Sequence, residues 1–181
     1  EAYCAPGFHP MADGIALEAM RMIREWLPVA VKDGANLVAR AHMLAAASMG
    51  ATAFQKGLGA IHSLSHPVGA LYNSHHGETN GVVMPYVLAF NRPAIEERMV
   101  RLARYLGLPG SGTAAVIDWV LALRREIGIP NTLADLGVRE ADIDRLTPMA
   151  VDDPSTSGNP VPAGAPEMRR MFEMAVRGEL A

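Results

Sequence analysis

The sequence predicts an all-α protein. Apolar residues recur at helical spacing in several stretches, as Met11, Ile15, Met22 and Trp26 do near the start of the chain. No stretch shows the sustained alternation of apolar and polar residues that a half-buried strand needs, and no repeat of 20–50 residues is visible. At 181 residues the chain is long enough for one compact domain with a substantial core.

Proline, glycine and capping residues divide the chain into eight predicted helices. The first has Pro10 in its first turn and ends at Pro28, and the third is a short helix that carries His62 and His66. Between them, a long alanine-rich helix at 35–55 is predicted to be buried. The other predicted helices are 76–90 (closed by Pro93), 94–108, 111–128, 139–150 and 167–177. Residues 152–162 are predicted to form a loop.

Composition excludes several classes of function. Half of the residues are hydrophobic, 19% are charged and the net charge is −3, so there is no basic surplus for binding nucleic acid or an anionic membrane. The best apolar run is interrupted by Asp118 and is too short to cross a bilayer. The single cysteine, Cys4, excludes an internal disulfide framework and favours a reducing compartment, so we expect a cytoplasmic protein.

Four of the six histidines lie between Lys56 and Asn80. His62 and His66 are four residues apart and share one face of a helix, and His76 follows directly before a predicted helix start. Imidazole is the most common protein ligand for catalytic transition metals. Spacing alone allows a site in which both His62 and His66 bind the metal, and it equally allows ordinary surface or core histidines.

The same stretch resembles a known family. The sequence GAIHSLSHPVGALYNSHHGETN, followed by VMPYVLAFN, resembles the signature of the iron-containing (group III) alcohol dehydrogenases. The opening EAYCAPGFHPMADGIALEAMRMI resembles the segment just after that family's first two metal ligands, and DDPSTSGNPVP resembles the loop before its last helix. The resemblance implies the C-terminal helical domain of the dehydroquinate synthase-like / iron-containing alcohol dehydrogenase fold.

The resemblance also implies roles for individual residues. It makes His62 and His76 the metal ligands, and it sets His66 beside the metal, near the substrate and the nicotinamide ring, as the catalytic and cofactor-contacting residue. The resemblance assigns no role to His75, which is expected to face solvent. The implied activity is reversible oxidation of a small alcohol to an aldehyde or ketone, with Fe²⁺ (Zn²⁺ as a plausible substitute) and NAD or NADP.

The chain begins with Glu1 instead of methionine, and in the resembling family EAY is the tail of a helix that carries an aspartate and a histidine ligand. We therefore expect residues 1–181 to be a single helical domain. We expect it to be a C-terminal fragment of a longer enzyme that is a homo-oligomer when complete. Such a fragment would hold two of four metal ligands and no nucleotide-binding α/β domain, and it would be inactive alone.

Two rival functions stay open. One is a helical metal-binding hydrolase that uses His62, His66 and His76 directly, with Glu78 as the nearby acid; the other is a non-catalytic helical bundle with incidental histidines. A dinucleotide fingerprint at Gly57-Leu58-Gly59 is rejected, because no strand precedes it and its third glycine is missing. The acidic pair at 152–153, next to a proline, is expected to be a solvated turn and not a metal site.

Overall fold

The computed structural model of the chain describes residues 1–180, in which all of the regular secondary structure is helical. Short 3₁₀ segments at Phe54–Lys56, Ala134–Leu136, Glu140–Asp142 and Pro154–Gly158 connect the α-helices. The α-helices are α1 Pro10–Lys32, α2 Leu37–Ala53, α3 Ala60–Tyr72, α4 His76–Leu106, α5 Gly112–Ile127, α6 Ile143–Val151 and α7 Ala165–Arg177. No strand occurs in residues 1–180, which confirms the predicted all-α class.

The helices group into two compact units. The first contains Glu1–Gly57 and Glu96–Gly128, and the second contains Leu58–Ile95 together with residues 129–180. The helix α4 is shared, since its first twenty residues belong to the second unit and the rest belongs to the first. Whether the chain acts as a single domain stays a prediction.

In the first unit, α1 packs along α2 and also contacts α5. The side of α2 that is buried consists of alanines seven residues apart, at Ala39, Ala46 and Ala53, so two helical turns separate successive contacts. Small residues at such positions let helix backbones approach closely. The remainder of α2 is not buried as expected, because Leu37 and Leu44 are 79% and 70% exposed.

A buried lysine, Lys56, forms an ion pair with α1 in the first unit. The Lys56 ammonium, whose side chain is only 1% exposed, donates to Asp13 at 2.5 Å, and the Arg98 guanidinium donates to the same carboxylate at 3.0 Å. Burial raises the pKa of Asp13, but the hydrogen bonds from Lys56 and Arg98 outweigh it, so the pKa lies below its ordinary value. The carboxylate therefore compensates a cation that would be costly to bury alone.

The second unit has its own apolar core beneath α3. Each of its helices contributes fully buried side chains, including Leu64 from α3, Val82 from α4, Leu146 from α6, and Met168 and Phe172 from α7. Large side chains of this kind contribute about 1.5–3 kcal/mol each when they are buried. This core fixes the positions of α3 and of the first turns of α4, which carry the clustered histidines.

Two proline predictions are wrong. The first helix does not end at Pro28 but continues to Lys32, and α4 runs through both Pro85 and Pro93 to Leu106. A proline inside a helix costs about 3 kcal/mol, because it lacks the N–H that the helix ladder needs. In α4 the side chains on both sides of Pro93 are buried, for example Val87 at 2% and Ile95 at 1% exposure. Their burial outweighs the proline penalty.

The helix lengths also bear on membranes. Of the helices within residues 1–180, none combines the length and the apolar character that a bilayer-spanning segment requires.

Candidate metal centre

Three histidine rings meet in the second unit. His62 and His66 project from successive turns of α3, and His76 is the first residue of α4. The ring centroids of His62 and His76 are 5.2 Å apart, and His66 lies 5.5 Å from each of the other two. The structure thus brings together the three histidines that the sequence singled out. The turn at Asn73, in the left-handed conformation at φ 53°, ends α3 shortly before His76.

The Asn80 amide shows where two of these rings point. Asn80 lies one helical turn after His76, and its Nδ2 donates to His76 Nε2 at 3.1 Å and approaches His62 Nε2 at 3.5 Å. Both Nε2 lone pairs are therefore directed at one small region. The other atom of the amide, Asn80 Oδ1, is buried and has no hydrogen-bond partner. A buried polar atom without a partner is costly, and a water molecule or an ion bound beside it is one arrangement that would satisfy it.

The donors present fit a divalent transition metal only in part. Two imidazole nitrogens that converge from separate helices are suitable ligands for Fe²⁺ or Zn²⁺, and metal binding would replace their contacts with the Asn80 amide. Within residues 1–180, however, no three side chains of histidine, cysteine, aspartate or glutamate are arranged to hold a metal ion. A complete coordination sphere would need ligands beyond those of this chain.

The third ring has a different partner. His66 Nδ1 lies 2.7 Å from Asp153 Oδ2, at hydrogen-bonding distance, across 87 residues of sequence. The solvated turn expected at residues 152–153 is therefore wrong for Asp153, whose side chain is only 10% exposed, whereas Asp152 is exposed. Burial raises the pKa of Asp153, but hydrogen bonds from His66 and Ser155 outweigh it and hold the pKa below its ordinary value.

The segment that carries Asp153 is fixed against α3. Asp153 Oδ1 accepts from the backbone N–H of Ser155 at 2.8 Å and so caps the 3₁₀ segment Pro154–Gly158. The Thr156 hydroxyl contacts the buried Ser63 hydroxyl of α3 and the Ala150 carbonyl, both at 2.8 Å. The aspartate is thus attached to the same helix that carries His66.

Asn159 anchors the beginning of α3. Its Oδ1 accepts from the backbone N–H of Ala60, the first residue of the helix, at 3.1 Å. Its amide also pairs with the Asn91 amide of α4 through two hydrogen bonds of 2.9 and 2.7 Å. One buried side chain therefore satisfies the first backbone N–H of α3 and connects this end of the helix to α4.

The other three histidines have structural roles. His75 is exposed, and its Nδ1 accepts from the backbone N–H of Glu78, which caps α4. His9 accepts from Ala12 in the same way and caps α1. His42 stacks on Trp26 with ring centroids 4.2 Å apart. The solvent-facing position expected for His75 is confirmed, and its ring also has a capping function.

Sequence reasoning missed Asp153, Asn80 and Asn159. Asn80 could have been found, because it lies four residues after His76 and so shares its helix face. The other two lie in the DDPSTSGNPVP segment, which carried the family resemblance but gave no signal that it contacts α3.

Comparison with known proteins identifies the family. Residues 1–176 match the Fe-containing alcohol dehydrogenase family, C-terminal. The chain is 40% identical to the NAD-dependent methanol dehydrogenase of Bacillus methanolicus, over 97% of this chain and 48% of that protein. It is also 40% identical to 4-hydroxybutyrate dehydrogenase of Cupriavidus necator, with the same coverage of 97% and 48%.

Solved structures agree with the sequence comparison. A crystal structure of 1,3-propanediol oxidoreductase superimposes with a TM-score of 0.92 at 34% identity, covering 97% of this chain and 48% of the other. The chain thus spans about half the length of these three relatives. The all-α fold is that of the C-terminal helical domain of these enzymes, as the resemblance implied. The chain belongs to the Fe-containing alcohol dehydrogenase family.

Proposed function

We propose that this chain is the metal-binding helical part of an NAD-dependent alcohol dehydrogenase that interconverts small alcohols and their aldehydes or ketones. The observation that carries the proposal is the convergence of His62 Nε2 and His76 Nε2 on one region beside Asn80, with the His66 ring 5.5 Å from each of theirs. The family match and the names of the relatives support the class of reaction.

Each histidine has a distinct proposed task. His62 and His76 would hold a divalent iron ion, which supplies Lewis acidity that lowers the pKa of an alcohol hydroxyl, while the nicotinamide ring supplies the hydride acceptor. His66 would accept the hydroxyl proton on a ring nitrogen, or orient the hydroxyl, because it lies beside both ligands without sharing their contact to Asn80. The side chain of His66 is 43% exposed, so a proton taken up there can pass on to water.

Several finer points belong to the same proposal. We favour NAD over NADP and a small, linear alcohol, because a relative is named an NAD-dependent methanol dehydrogenase and another a 4-hydroxybutyrate dehydrogenase. We favour iron, with zinc as a substitute that imidazole ligands also accept. We further propose a cytoplasmic homo-oligomer, in which a nucleotide-binding half like that of the resembling family completes the ligand set.

The test is alcohol-dependent reduction of NAD⁺, followed by absorbance of NADH, with the enzyme that joins this chain to a nucleotide-binding half. Methanol, 1,3-propanediol and 4-hydroxybutyrate serve as substrates, before and after removal of metal with a chelator. We expect turnover with at least one of them, loss of turnover on chelation, and recovery on addition of Fe²⁺. Absence of nicotinamide reduction with every alcohol would refute the proposal.

The rival hydrolase uses the same residues differently. It would require His62, His66 and His76 to bind one metal together, and the commitment of His66 Nδ1 to Asp153 leaves only Nε2 for such a bond. Metal-dependent ester or amide hydrolysis without nicotinamide would favour that reading.

A further inference from the structure

We infer that Asp153 is a positioning residue that fixes the tautomer and orientation of His66, so that Nδ1 carries the proton and Nε2 carries the lone pair. This assignment specifies which ring nitrogen of His66 exchanges a proton with the substrate. That catalytic role rests on the proposed function. Its structural content, the tautomer of one histidine, can be tested without catalysis.

The side chains of His66 and Asp153 differ in their exposure to solvent. His66 is 43% exposed and Asp153 is 10% exposed, although their polar atoms are only 2.7 Å apart. The buried partner lies on a segment that hydrogen bonds attach to α3, and the exposed partner is the one that can meet a substrate. In such a pair the buried group orients the exposed one.

The ionisation of Asp153 determines which partner carries the proton. At neutral pH the carboxyl group of Asp153, whose pKa lies below its ordinary value, is ionised and has no proton to donate, so its hydrogen bonds with His66 and Ser155 are ones that it accepts. The proton between Asp153 Oδ2 and His66 Nδ1 therefore belongs to the ring. In a neutral imidazole, a proton on Nδ1 leaves the lone pair on Nε2, which is the nitrogen that can act as a base.

The two carboxylate oxygens of Asp153 have separate contacts. Asp153 Oδ1 accepts from the Ser155 backbone and caps the 3₁₀ segment, while Oδ2 alone contacts His66. An asparagine at this position keeps an oxygen for the cap and puts an amide NH₂ in place of Oδ2. Because that NH₂ donates, the His66 Nδ1 that faces it has to accept, and the ring proton moves to Nε2.

The first experiment is nitrogen-15 NMR of the 181-residue chain at about pH 8.5, where an ordinary imidazole is neutral. In the unsubstituted chain we expect the His66 shifts of a protonated Nδ1 and a lone pair on Nε2. Asp153→Asn should exchange the two, and Asp152→Asn should leave them unchanged. The neighbouring Asp152 is exposed and loses the same charge, which makes it the matched control.

The unsubstituted chain alone already decides the structural claim. A lone pair on His66 Nδ1, or a mixture of both tautomers, would overturn the inference, whether or not the asparagine variant folds. If both variants fold and Asp153→Asn moves the His66 shifts no more than Asp152→Asn does, the inference is equally overturned.

The second experiment measures the consequence in the complete enzyme. Asp153→Asn should lower kcat about 10²-fold or more, the range of a positioned proton-transfer group, while metal content and KM for the alcohol stay near those of the unsubstituted enzyme. Adding Asp153→Asn to His66→Ala should cost no further activity, because the asparagine keeps the cap on Ser155 and the other oxygen of Asp153 acts only through the His66 ring. Additive losses would show a separate structural effect and refute the positioning role.

The two hypotheses fail in different ways. If the unsubstituted enzyme reduces no nicotinamide with any alcohol while His66 keeps its proton on Nδ1, the proposed function fails and the tautomer assignment stands. If the enzyme is active and the tautomer is wrong, or unaffected by Asp153→Asn, the inference fails and the function stands.

Discussion

The Asn159→Ala substitution should destabilise the second unit by removing the amide that anchors α3. Asn159 is 7% exposed, and its Oδ1 accepts from Ala60 N at 3.1 Å and from Asn91 Nδ2 at 2.9 Å. Its Nδ2 donates to Asn91 Oδ1 at 2.7 Å. Ala60 and Asn91 are themselves 0% and 4% exposed, so bulk water cannot take over these hydrogen bonds.

The expected magnitude follows from the groups left without partners. Removal of the Asn159 side chain leaves three buried groups without a hydrogen-bond partner: the N–H of Ala60 and both polar atoms of the Asn91 amide. At about 1–3 kcal/mol for each buried group that loses its partner, the free energy of unfolding should fall by at least about 3 kcal/mol. Asn91→Ala is the matched control and should cost less, about 1–3 kcal/mol, because only one N–H of Asn159 loses its partner while Asn159 keeps its bonds to Ala60 N and Val161 O.

Denaturant unfolding of the two single variants and the double variant gives these free energies, and hydrogen exchange reports the Ala60 amide directly. The double variant should be no less stable than Asn159→Ala, because it no longer contains the Asn91 amide that Asn159→Ala leaves without partners. Protection of the Ala60 N–H should fall with Asn159→Ala and persist with Asn91→Ala. Equal losses in the two single variants, with Ala60 still protected in both, would refute the anchoring argument.

Three further predictions concern packing, pH and metal. Gly158→Ala should lower the free energy of unfolding by about 1–3 kcal/mol or more, since the added Cβ would lie 2.3 Å from the Leu58 carbonyl oxygen. Gly50→Ala, which meets nothing within 4 Å inside α2, should not destabilise, and equal losses would contradict the clash. The pKa of Asp13 is lowered in the folded state, so its ion pairs stabilise above the unfolded pKa of about 4 and lose their effect as the pH falls through the folded pKa. The stability gap between the unsubstituted chain and Asp13→Asn should therefore shrink between about pH 7 and about pH 3 in denaturant unfolding, and an unchanged gap would count against it. The 181-residue chain alone should retain well below one iron per polypeptide after desalting, because its own donors form only a partial set. Stoichiometric iron in elemental analysis would contradict that expectation.

Local signals in the sequence were sufficient for the fold class and for the histidine cluster. The three rings lie within fifteen consecutive residues, so the spacing of His62 and His66 on one helix and the start of the next helix at His76 already bring them close. The continuation of α4 through Pro93 could not be predicted in this way. It depends on the burial of side chains such as Ile95 and Met99, which only tertiary packing establishes.

Long-range partners were beyond sequence reasoning for a physical reason. Asp153 meets His66 across 87 residues, and Asn159 meets Ala60 across 99, so no periodicity or local motif connects them. The local sequence even argued against a site role for Asp153, because an acidic pair beside a proline is typical of a solvated turn. Only the packing of residues 153–159 on α3 makes that carboxylate part of the site.

We propose that His62 and His76 bind the metal and that His66 does not, and metal content tests this assignment most directly. Iron and zinc per polypeptide should be measured in the complete enzyme and in its His62→Ala, His76→Ala, His66→Ala and His75→Ala variants. We predict that metal content collapses in the first two, because each loses a metal–nitrogen bond. It should stay near stoichiometric in the last two, although His75→Ala costs about 1 kcal/mol of helix capping. Metal loss in His66→Ala equal to that in His62→Ala would contradict the assignment and favour a site in which both histidines of α3 are ligands.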